Sequence, residues 1–498
     1  MNSIKIANYR PIVLGAICLS IGIFVGALTA NVAIAFFVLL GLFIILAISS
    51  FFLKFSSIKI GAIFLLIGFV LISITCFTAY TDDVHFDSVY FEGRVKEVSK
   101  QNEEYNRYVL EEVTLLGEEI RGNVLVDVKT KFEIGDRVGI LGNFDNIKFN
   151  PFNSYSVAKH RKQVYYSSKS IESFKIGETK KSFIERIQIK IKDLYVEQLG
   201  EKEGGIALGL VLGDTSLIDY DTSLDMQASG LSHLFSVSGL HVGFMSTIIF
   251  YLFRIFKVDK KKSFFWVLGI LLAYGLLTGF PVGVVRASIM SLMMLFAEIR
   301  TKRYDQLNGL ALAVIILLLI NPLELFSVSF LLSVGAMFGI ACFYKRLTSL
   351  YRGDNLIVKR LLGSVAVSIS ANVFVLPISA YYFGTVSLLF VLANLVVVPL
   401  ASLSYFFLVP LSLVALIIKP LGILIRPIGL PILATTLIAS GIGSIPFSTI
   451  SFSIPAIAGL LYSFAFVIIS RYYMGSKYSK IVLSTLSFIT CALIILLF

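Results

Sequence analysis

Charged residues are the scarce class in this chain of 498 residues, in which 15% are Asp, Glu, Lys or Arg and 57% are hydrophobic. Soluble domains carry about 25% charged residues, so the composition excludes an ordinary soluble protein. Most of the apolar runs reach about 18 residues, which is enough to span roughly 30 Å of hydrocarbon. The sequence therefore predicts a polytopic α-helical membrane protein with about 10–13 spans.

Cysteine and histidine are also sparse, with four residues of each type. The cysteines all lie in apolar segments without CxxC spacing, so we interpret them as small core residues rather than as disulfides or metal ligands. No GxxxxGK[ST] motif occurs, which excludes ATP hydrolysis by a P-loop.

The apolar runs 11–30 and 31–53 follow one another without a clear cleavage site, so the first run is predicted to be a retained span. We predict no cofactor and no metal.

Acidic residues are missing from residues 1–80, where the sequence predicts three N-terminal spans. The net charge of +12 resides mainly in the apolar regions, where short basic loops alternate with connections that have no basic residue. The basic loops are 254–263, 300–306 and 345–360. Basic loops face the cytoplasm, and Lys5 and Arg10 place the N-terminus on the same side. Three spans then bring residue 81 to the outside, so topology explains most of the charge.

Residues 81–178 differ from the rest of the chain because apolar and polar residues alternate there with a period of two. The predicted strands, separated by Gly-containing turn signals, are 89–98, 105–116, 120–128, 135–144 and 162–170. Five short strands in fewer than 100 residues are typical of a small β-barrel. We therefore predict an inserted extracytoplasmic barrel that resembles an OB-fold.

A helical connector is predicted for residues 179–230, since 181–200 places apolar residues opposite lysines and arginines. This helix either lies on the membrane surface or packs on the protein as a linker. Residues 231–498 form the predicted channel domain. Its candidate spans are 231–253, 264–280, 282–299, 307–320, 325–344, 361–382, 386–418, 427–444, 448–470 and 481–498. Pro399 and Pro410 lie in the longest run and predict a kinked or discontinuous helix.

Residues 231–243 concentrate two of the four histidines, His233 and His241, among three serines at the start of an apolar run. Polar groups are costly in a bilayer, so the cluster indicates a water-filled path or a site for a polar ligand. Buried core histidines, a zinc site and a Ser–His pair are the alternatives. Eight residues of straight helix would separate the two rings by about 12 Å, and no carboxylate or cysteine joins them. We favour a polar lining or gate, with Gly239 allowing the helix to break.

The segment GLSHLFSVSGLHVG at 230–243 resembles the signature of the ComEC family, the membrane channel of bacterial natural transformation. Further segments resemble the family in order: YGLLTGFPVGVVRA at 274–287, then 305–322, FLLSVGA at 330–336, 394–399 and, in the soluble region, NPFNSY at 150–155. Leu331 replaces the usual Gln of the family, and Asn153-Ser154 stands where Phe-Asp is usual. The zinc motif HxHxDH of many members does not occur, so we expect no nuclease activity in this chain.

The resemblance implies a channel of the bacterial cytoplasmic membrane that passes single-stranded DNA inward and is not an enzyme. It implies as partners single-stranded DNA, an extracytoplasmic DNA receptor, a separate nuclease, a cytoplasmic ATP-driven translocase and the lipid bilayer, with homo-oligomers as a further arrangement. The alternatives are a secondary transporter of a small anionic solute and an intramembrane enzyme using Ser238 and His241.

Two groups of residues are the predicted sites. The translocation path is predicted to contain His233, Ser236, Ser238, Gly239, His241, Arg286, Ser333 and Asn394. Arg286 either faces a cavity and attracts phosphates or snorkels to the interface, and Asn394 either lines the pore or bonds neighbouring helices.

The second group lies in the β-domain, where residues 120–192 carry 15 basic and 7 acidic residues. Aromatic side chains interleaved with cations suit single strands, although a packed core with solvated lysines gives the same pattern. The predicted DNA-binding residues are Lys148, Tyr155, Lys159, Arg161, Lys162 and Tyr165.

Overall fold

The computed structural model describes residues 10–29, 40–41, 44, 56–79, 84–101, 105–148, 150, 153–179, 181–234, 239–470 and 476–497. Two N-terminal helices, α1 (Pro11–Thr29) and α2 (Ser56–Ala79), pack along each other. A Cβ atom on Gly22 or on Gly68 would overlap a backbone carbonyl of the facing helix, so these glycines allow the close approach. The predicted span 32–53 lies almost wholly outside the described residues.

A small sheet domain follows, as the alternating pattern predicts. Its strands are β1 (His85–Gln101), β2 (Asn106–Leu115), β3 (Glu118–Glu119), β4 (Asn123–Val128), β5 (Asp136–Asn146) and β6 (Val164–Glu178). One helix, α3 (Ser154–Arg161), lies between β5 and β6, and the side chain of Asn153 caps its N-terminus. Each of the five predicted strands coincides with one of these strands.

The strand pairing begins and ends at β1. This strand pairs antiparallel with β2 and with β5; β5 pairs antiparallel with β6, β6 parallel with β4, and β4 antiparallel with β2. Most buried apolar residues of these strands form one core, in which the rings of Phe91 and Phe144 meet edge to face with centroids 5.3 Å apart. Val109, Leu125 and Val164 form a second, small cluster. The domain therefore has a core of its own.

Three helices connect the sheet domain to the membrane helices: α4 (Phe183–Leu199), α5 (Glu201–Leu212) and α6 (Tyr220–Ala228). The apolar face of α4 packs on the protein, where the hydroxyl groups of Tyr195 and Ser412 are 2.7 Å apart. Helix α5 is buried from Gly204 to Leu212 in the same core. This burial differs from the expected interfacial connector, because the small and apolar side chains of α5 fit between membrane helices.

The remaining helices are predominantly apolar. They are α7 (Gly239–Ile255), α8 (Lys260–Thr278), α9 (Val282–Ile299), α10 (Gln306–Ile320), α11 (Val328–Thr348), α12 (Leu356–Phe383), α13 (Phe390–Ile417), α14 (Gly429–Gly443), α15 (Ala456–Ile469) and α16 (Lys477–Leu497). Within the described residues, eight helices are long and apolar enough to cross a membrane. The chain is a multi-pass membrane protein.

Helix α13 continues through Pro399 and Pro410 without interruption. The run thus forms one helix rather than a discontinuous one, and the kink, the other alternative, stays a prediction. Neighbouring helices and side chains can satisfy the backbone carbonyls that a proline leaves without a donor in a membrane helix. Two short strands, β7 (Thr385–Ser387) and β8 (Thr449–Ser451), pair antiparallel next to the ends of α12 and α14.

Candidate functional site

The two histidines of the 231–243 motif lie on different elements. His233 belongs to a single 3₁₀ turn, Ser232–Leu234, and its Nδ1 donates to the carbonyl oxygen of Gly230 at 3.2 Å. His241 lies in the first turn of α7, which begins at Gly239. The two rings therefore lie on separate described elements, and the helix break at Gly239 stays a prediction. Ser236 and Ser238 lie outside the described residues.

His241 is fully buried and belongs to a group of aromatic side chains from different helices. Its ring stacks on that of Tyr405 with centroids 4.5 Å apart and an interplanar angle of 14°. The ring of Tyr405 meets that of Tyr274 edge to face at 6.5 Å, and the hydroxyl of Tyr274 donates to the carbonyl oxygen of Val211 at 2.7 Å. Polar atoms of α5, α7, α8 and α13 thus meet inside the apolar core.

Arg286 on α9 brings two other predicted path residues together. Its side chain is 7% exposed, so it does not snorkel to the interface. Its Nη1 donates to the backbone carbonyl of Ser333 on α11. Its Nη2 lies against Gly239, where a Cβ atom would stand 2.5 Å away. Within the described residues, its Nε has no hydrogen-bond partner.

Asn394 lies near the start of α13, three turns before Tyr405 and on nearly the same helix face. Its Oδ1 is buried and, among the described residues, has no hydrogen-bond partner; the same is true of the hydroxyl of Ser333. Unpaired amide and hydroxyl oxygens inside a membrane domain can accept bonds from water or from a polar ligand. Their role in the path stays a prediction.

In the sheet domain, helix α3 presents Tyr155 and Lys159 on one face. These residues are four apart, and the Lys159 Nζ lies 5.4 Å from the centre of the Tyr155 ring. Arg107 joins them from β2, held by two bonds to the carboxylate of Asp127 at 2.6 and 2.7 Å and stacked over Tyr105.

Burial lowers the pKa of Lys159, and the positive charges of Arg107 and Lys162 lower it further. The pKa of Tyr155 is raised by burial, with Arg107 and Asp127 within electrostatic reach. We call this cluster the α3 patch; it consists of Tyr105, Arg107, Tyr155, Lys159 and Lys162. Sequence reasoning missed Tyr105 and Arg107 because both lie in the acidic half of the domain. Their spacing of two, which places them on one face of a strand, was the available signal.

Two of the predicted DNA-binding residues make contacts within the protein instead. Arg161 lies on the other side of α3, and its Nη1 is 3.1 Å from the Oε2 of Glu324, in the turn between α10 and α11. We call this ion pair the domain latch, because it joins the sheet domain to the membrane domain. The hydroxyl of Ser327 also donates to Glu324 at 3.0 Å, and burial raises the pKa of this carboxyl group.

Tyr165 is partly buried and packs on Gly122 so closely that a Cβ atom there would overlap its ring. Its other side lies beside the ring of His160, with centroids 5.5 Å apart. Lys148 is exposed, and its carbonyl accepts a bond from Ser156 at 3.0 Å. The six predicted residues therefore fall into two groups. Arg161 and Tyr165 pack on the protein, and the other four lie at the surface of the sheet domain: Lys148, Tyr155, Lys159 and Lys162.

Comparison with known proteins identifies the family. A family model described as "Competence protein" matches residues 210–477, more than half of the chain. The chain belongs to the Competence protein family. This confirms the resemblance read from the 230–243 motif. The matched segment contains every predicted residue of the translocation path. No solved structure matches the chain.

Curated relatives match about half of the chain. ComE operon protein 3 of Bacillus subtilis (strain 168) is 29% identical over 248 residues, which are 49% of this chain and 31% of that protein. Recombination protein 2 of Haemophilus influenzae is 30% identical over 272 residues, which are 51% of this chain and 34% of that protein. A protein named YcaI of Escherichia coli K12 is 24% identical over 251 residues, which are 48% of this chain and 33% of that protein. The alignments thus span about a third of each relative.

Proposed function

We propose that this member of the Competence family is the membrane channel that passes single-stranded DNA from outside into the cytoplasm during natural transformation. The observation that carries the proposal is the family match over residues 210–477, the segment that holds the buried polar groups of the membrane domain. The names of two relatives, ComE operon protein 3 and Recombination protein 2, agree with a role in competence and recombination.

Polar chemistry inside the membrane domain supports the proposal. Ionisable residues in membrane helices are costly and mark ion or substrate pathways. His241 and Arg286 are both buried among these helices, and Gly239 and Ser333 lie against Arg286. We propose that His233, Ser236, Ser238 and Asn394 complete this path.

The sheet domain is proposed to be an extracytoplasmic barrel of the OB type that receives the strand. Support comes from the strand pairing, which starts and ends at β1, and from one parallel pair, β4 with β6. The α3 patch offers two tyrosine rings and three cations, as single-strand binding sites do. Because α3 also carries Arg161, which contacts Glu324, the patch lies near the turn Pro322–Phe326 of the membrane domain, and this end is proposed to face outward.

Other proteins are proposed to supply the remaining steps: an extracytoplasmic receptor, a nuclease that degrades the second strand and a cytoplasmic ATP-driven translocase. The chain itself is proposed to be a cytoplasmic-membrane channel without enzymatic activity. The alternative is a small-anion transporter, whose site would lie where broken helices meet near the midplane. Helix α13 is one helix from Phe390 to Ile417, so this run offers that alternative no break in the chain of helical residues.

Uptake of labelled DNA tests the proposal directly. A strain lacking its own gene of this family is complemented with this chain, and internalised label is counted after external nuclease treatment. Restored internalisation is expected. Surface binding without internalisation, together with uptake of a small anion into vesicles that contain the chain, would favour the transporter.

Topology gives the first specific prediction. Ser349 is exposed directly after the last residue of α11, within the basic loop 345–360. A Ser349→Cys variant should react with a membrane-impermeant thiol reagent only after the cells are permeabilised, because basic loops face the cytoplasm. Glu172→Cys, exposed in the sheet domain, is the matched control and should react in intact cells. Labelling of the Ser349→Cys variant in intact cells would reverse the proposed direction of transport.

The α3 patch gives the second prediction. Tyr155→Ala should weaken binding of a single-stranded oligonucleotide to the purified full chain by about 1–3 kcal/mol, the contribution of one stacked base. Lys159→Ala should reduce the magnitude of the negative slope of log affinity against log salt by about 0.7, because one phosphate contact is lost. Fluorescence anisotropy measures both quantities.

Lys175→Ala is the control for this experiment, since Asp136 and Glu178 already pair with Lys175 at 2.9 and 2.6 Å. Its affinity and salt slope should equal those of the unchanged chain. Equal binding by the Tyr155 and Lys159 variants would show that the patch takes no part in DNA capture.

A further inference from the structure

Helices α5, α6 and α14 enclose a cavity of about 170 Å³, and no residue of the predicted translocation path lines it. Pockets that enclose a drug-sized ligand measure roughly 300–1,000 Å³, so this cavity fits a small polar group and not the whole of a larger molecule. The polar side chains of its wall are Lys202, Glu203, Thr222, Asp225, Thr436 and Ser440. The cavity therefore combines one positive and two negative charges with three hydroxyl groups.

The three charged side chains of the wall are not used within the described part of the protein. Lys202 is exposed, Glu203 and Asp225 are partly buried, and among the described residues none of these side chains forms a hydrogen bond or an ion pair. Asp219 lies within electrostatic reach of Lys202, but its carboxylate already accepts a bond from the backbone N–H of Thr222 at 3.0 Å. The wall thus offers both donors and acceptors to a ligand that carries both signs of charge.

The cavity borders an apolar helix surface. Helix α14 belongs to the segment Lys419–Gly443, which is long and apolar enough to cross a membrane. Leu433 and Leu437 also line the cavity, and together with Leu430 they form a stripe on one side of the helix. The side chains of Leu430, Leu433 and Leu437 are 71%, 39% and 63% exposed. Acyl chains are as apolar as leucine, so this stripe is a surface for lipid beside a polar cavity.

We propose that the cavity binds the head group of phosphatidylethanolamine, a phospholipid with a primary ammonium, while the acyl chains lie along the leucine stripe of α14. The carboxylates of Glu203 and Asp225 accept hydrogen bonds from the ammonium, which has three N–H donors. The ammonium of Lys202 binds the phosphate. The inference goes beyond the proposed function and does not depend on it.

The lining favours this head group over the other common ones. A quaternary ammonium, as in phosphatidylcholine, is bound by aromatic rings, and none of the residues that line the cavity is aromatic. An anionic head group without an ammonium, as in phosphatidylglycerol, meets two carboxylates and only one lysine, so repulsion exceeds attraction. A bound phosphatidylethanolamine would also join α5 and α6 to α14.

Native mass spectrometry of the full chain, delipidated in maltoside detergent and titrated with dioctanoyl phospholipids, is the direct test. Phosphatidylethanolamine should bind at least tenfold more tightly than phosphatidylcholine or phosphatidylglycerol. Glu203→Gln and Asp225→Asn should each weaken its binding at least fivefold. Ser440→Leu should do the same, because the larger side chain fills the cavity from an exposed position on α14. This variant keeps the test valid if a charge variant does not fold.

Glu201→Gln is the matched control, because Glu201 lies in the same first turn of α5 but is exposed and does not line the cavity. Its affinity for phosphatidylethanolamine should equal that of the unchanged chain. The double variant Glu203→Gln with Asp225→Asn leaves Lys202 as the only charge of the wall. It should therefore reverse the preference and bind phosphatidylglycerol more tightly than phosphatidylethanolamine, which lipid that merely coats the protein would not do.

Three results would overturn the proposal. The first is equal affinity of the unchanged chain for the three lipids. The second is unchanged binding of phosphatidylethanolamine by Glu203→Gln, Asp225→Asn and Ser440→Leu. The third concerns glycerophosphoethanolamine, which has the same head group without acyl chains: an affinity equal to that of the lipid would assign the cavity to a soluble amine. Binding at least tenfold weaker than that of the lipid would support the role of the leucine stripe.

Discussion

Replacing His241 with phenylalanine is expected to lower DNA uptake about 100-fold, equivalent to ~2.7 kcal/mol on the barrier, while the amount of protein in the membrane stays near normal. The imidazole both donates and accepts hydrogen bonds, whereas a phenyl ring does neither. An apolar ring at a constriction excludes water and closes the path to a charged strand. Internalised label per cell and membrane protein by immunoblot are the two measurements.

Phenylalanine is the informative replacement because it preserves the packing. The ring of His241 stacks on Tyr405 at 4.5 Å, and a phenyl ring of similar size can keep this contact. Val242→Ala is the control, since Val242 is the next residue and equally buried but apolar. It should reduce the amount of protein through the cavity it creates, with uptake per molecule unchanged. Loss of the His241→Phe protein from the membrane would instead identify a core histidine, and normal uptake would remove His241 from the path.

The fold was predictable wherever the pattern is local. Alternation located the five long strands of the sheet domain, although β4 is buried on both faces, with Val124 in the main core and Leu125 in a second cluster. Two other features depend on the rest of the fold. The stretch 204–212 is too short for a span, and only the surrounding helices make α5 a buried element. The uninterrupted course of α13 through Pro399 also depends on its neighbours.

The candidate site was predictable in its residues but not in their partners. The motif at 231–243 identified His241, yet nothing near it in sequence indicates Tyr405 or Tyr274 as its neighbours. The excess of basic residues in 120–192 likewise predicted Arg161 and Lys159 as parts of one DNA-binding group. The structure separates them because they lie on opposite sides of α3, and only one side meets Glu324. Such contacts between distant segments leave no periodic signal in the sequence.

Breaking the domain latch is expected to release the sheet domain from the membrane domain. In Arg161→Ala, the carboxylate of Glu324, which is 12% exposed, loses its counter-charge. Because Arg161 is itself 24% exposed, we expect a cost of about 2–3 kcal/mol, less than for a fully buried pair. Hydrogen exchange should then become about 30- to 150-fold faster in α3 and in the turn Pro322–Phe326 of the full chain, where opening is local.

Two further variants test whether the faster exchange is caused by loss of this ion pair. Lys162→Ala removes the neighbouring cation, which pairs with Glu97 at 2.6 Å on the exposed surface and contributes at most about 1 kcal/mol. Its exchange should change little. The double variant Arg161→Leu with Glu324→Leu removes both charges together and should recover most of the protection, because two apolar side chains leave no buried charge unpaired. Unchanged exchange in Arg161→Ala would mean that the packing of Val157 among α1, α10 and the turn, rather than the ion pair, holds the sheet domain in place.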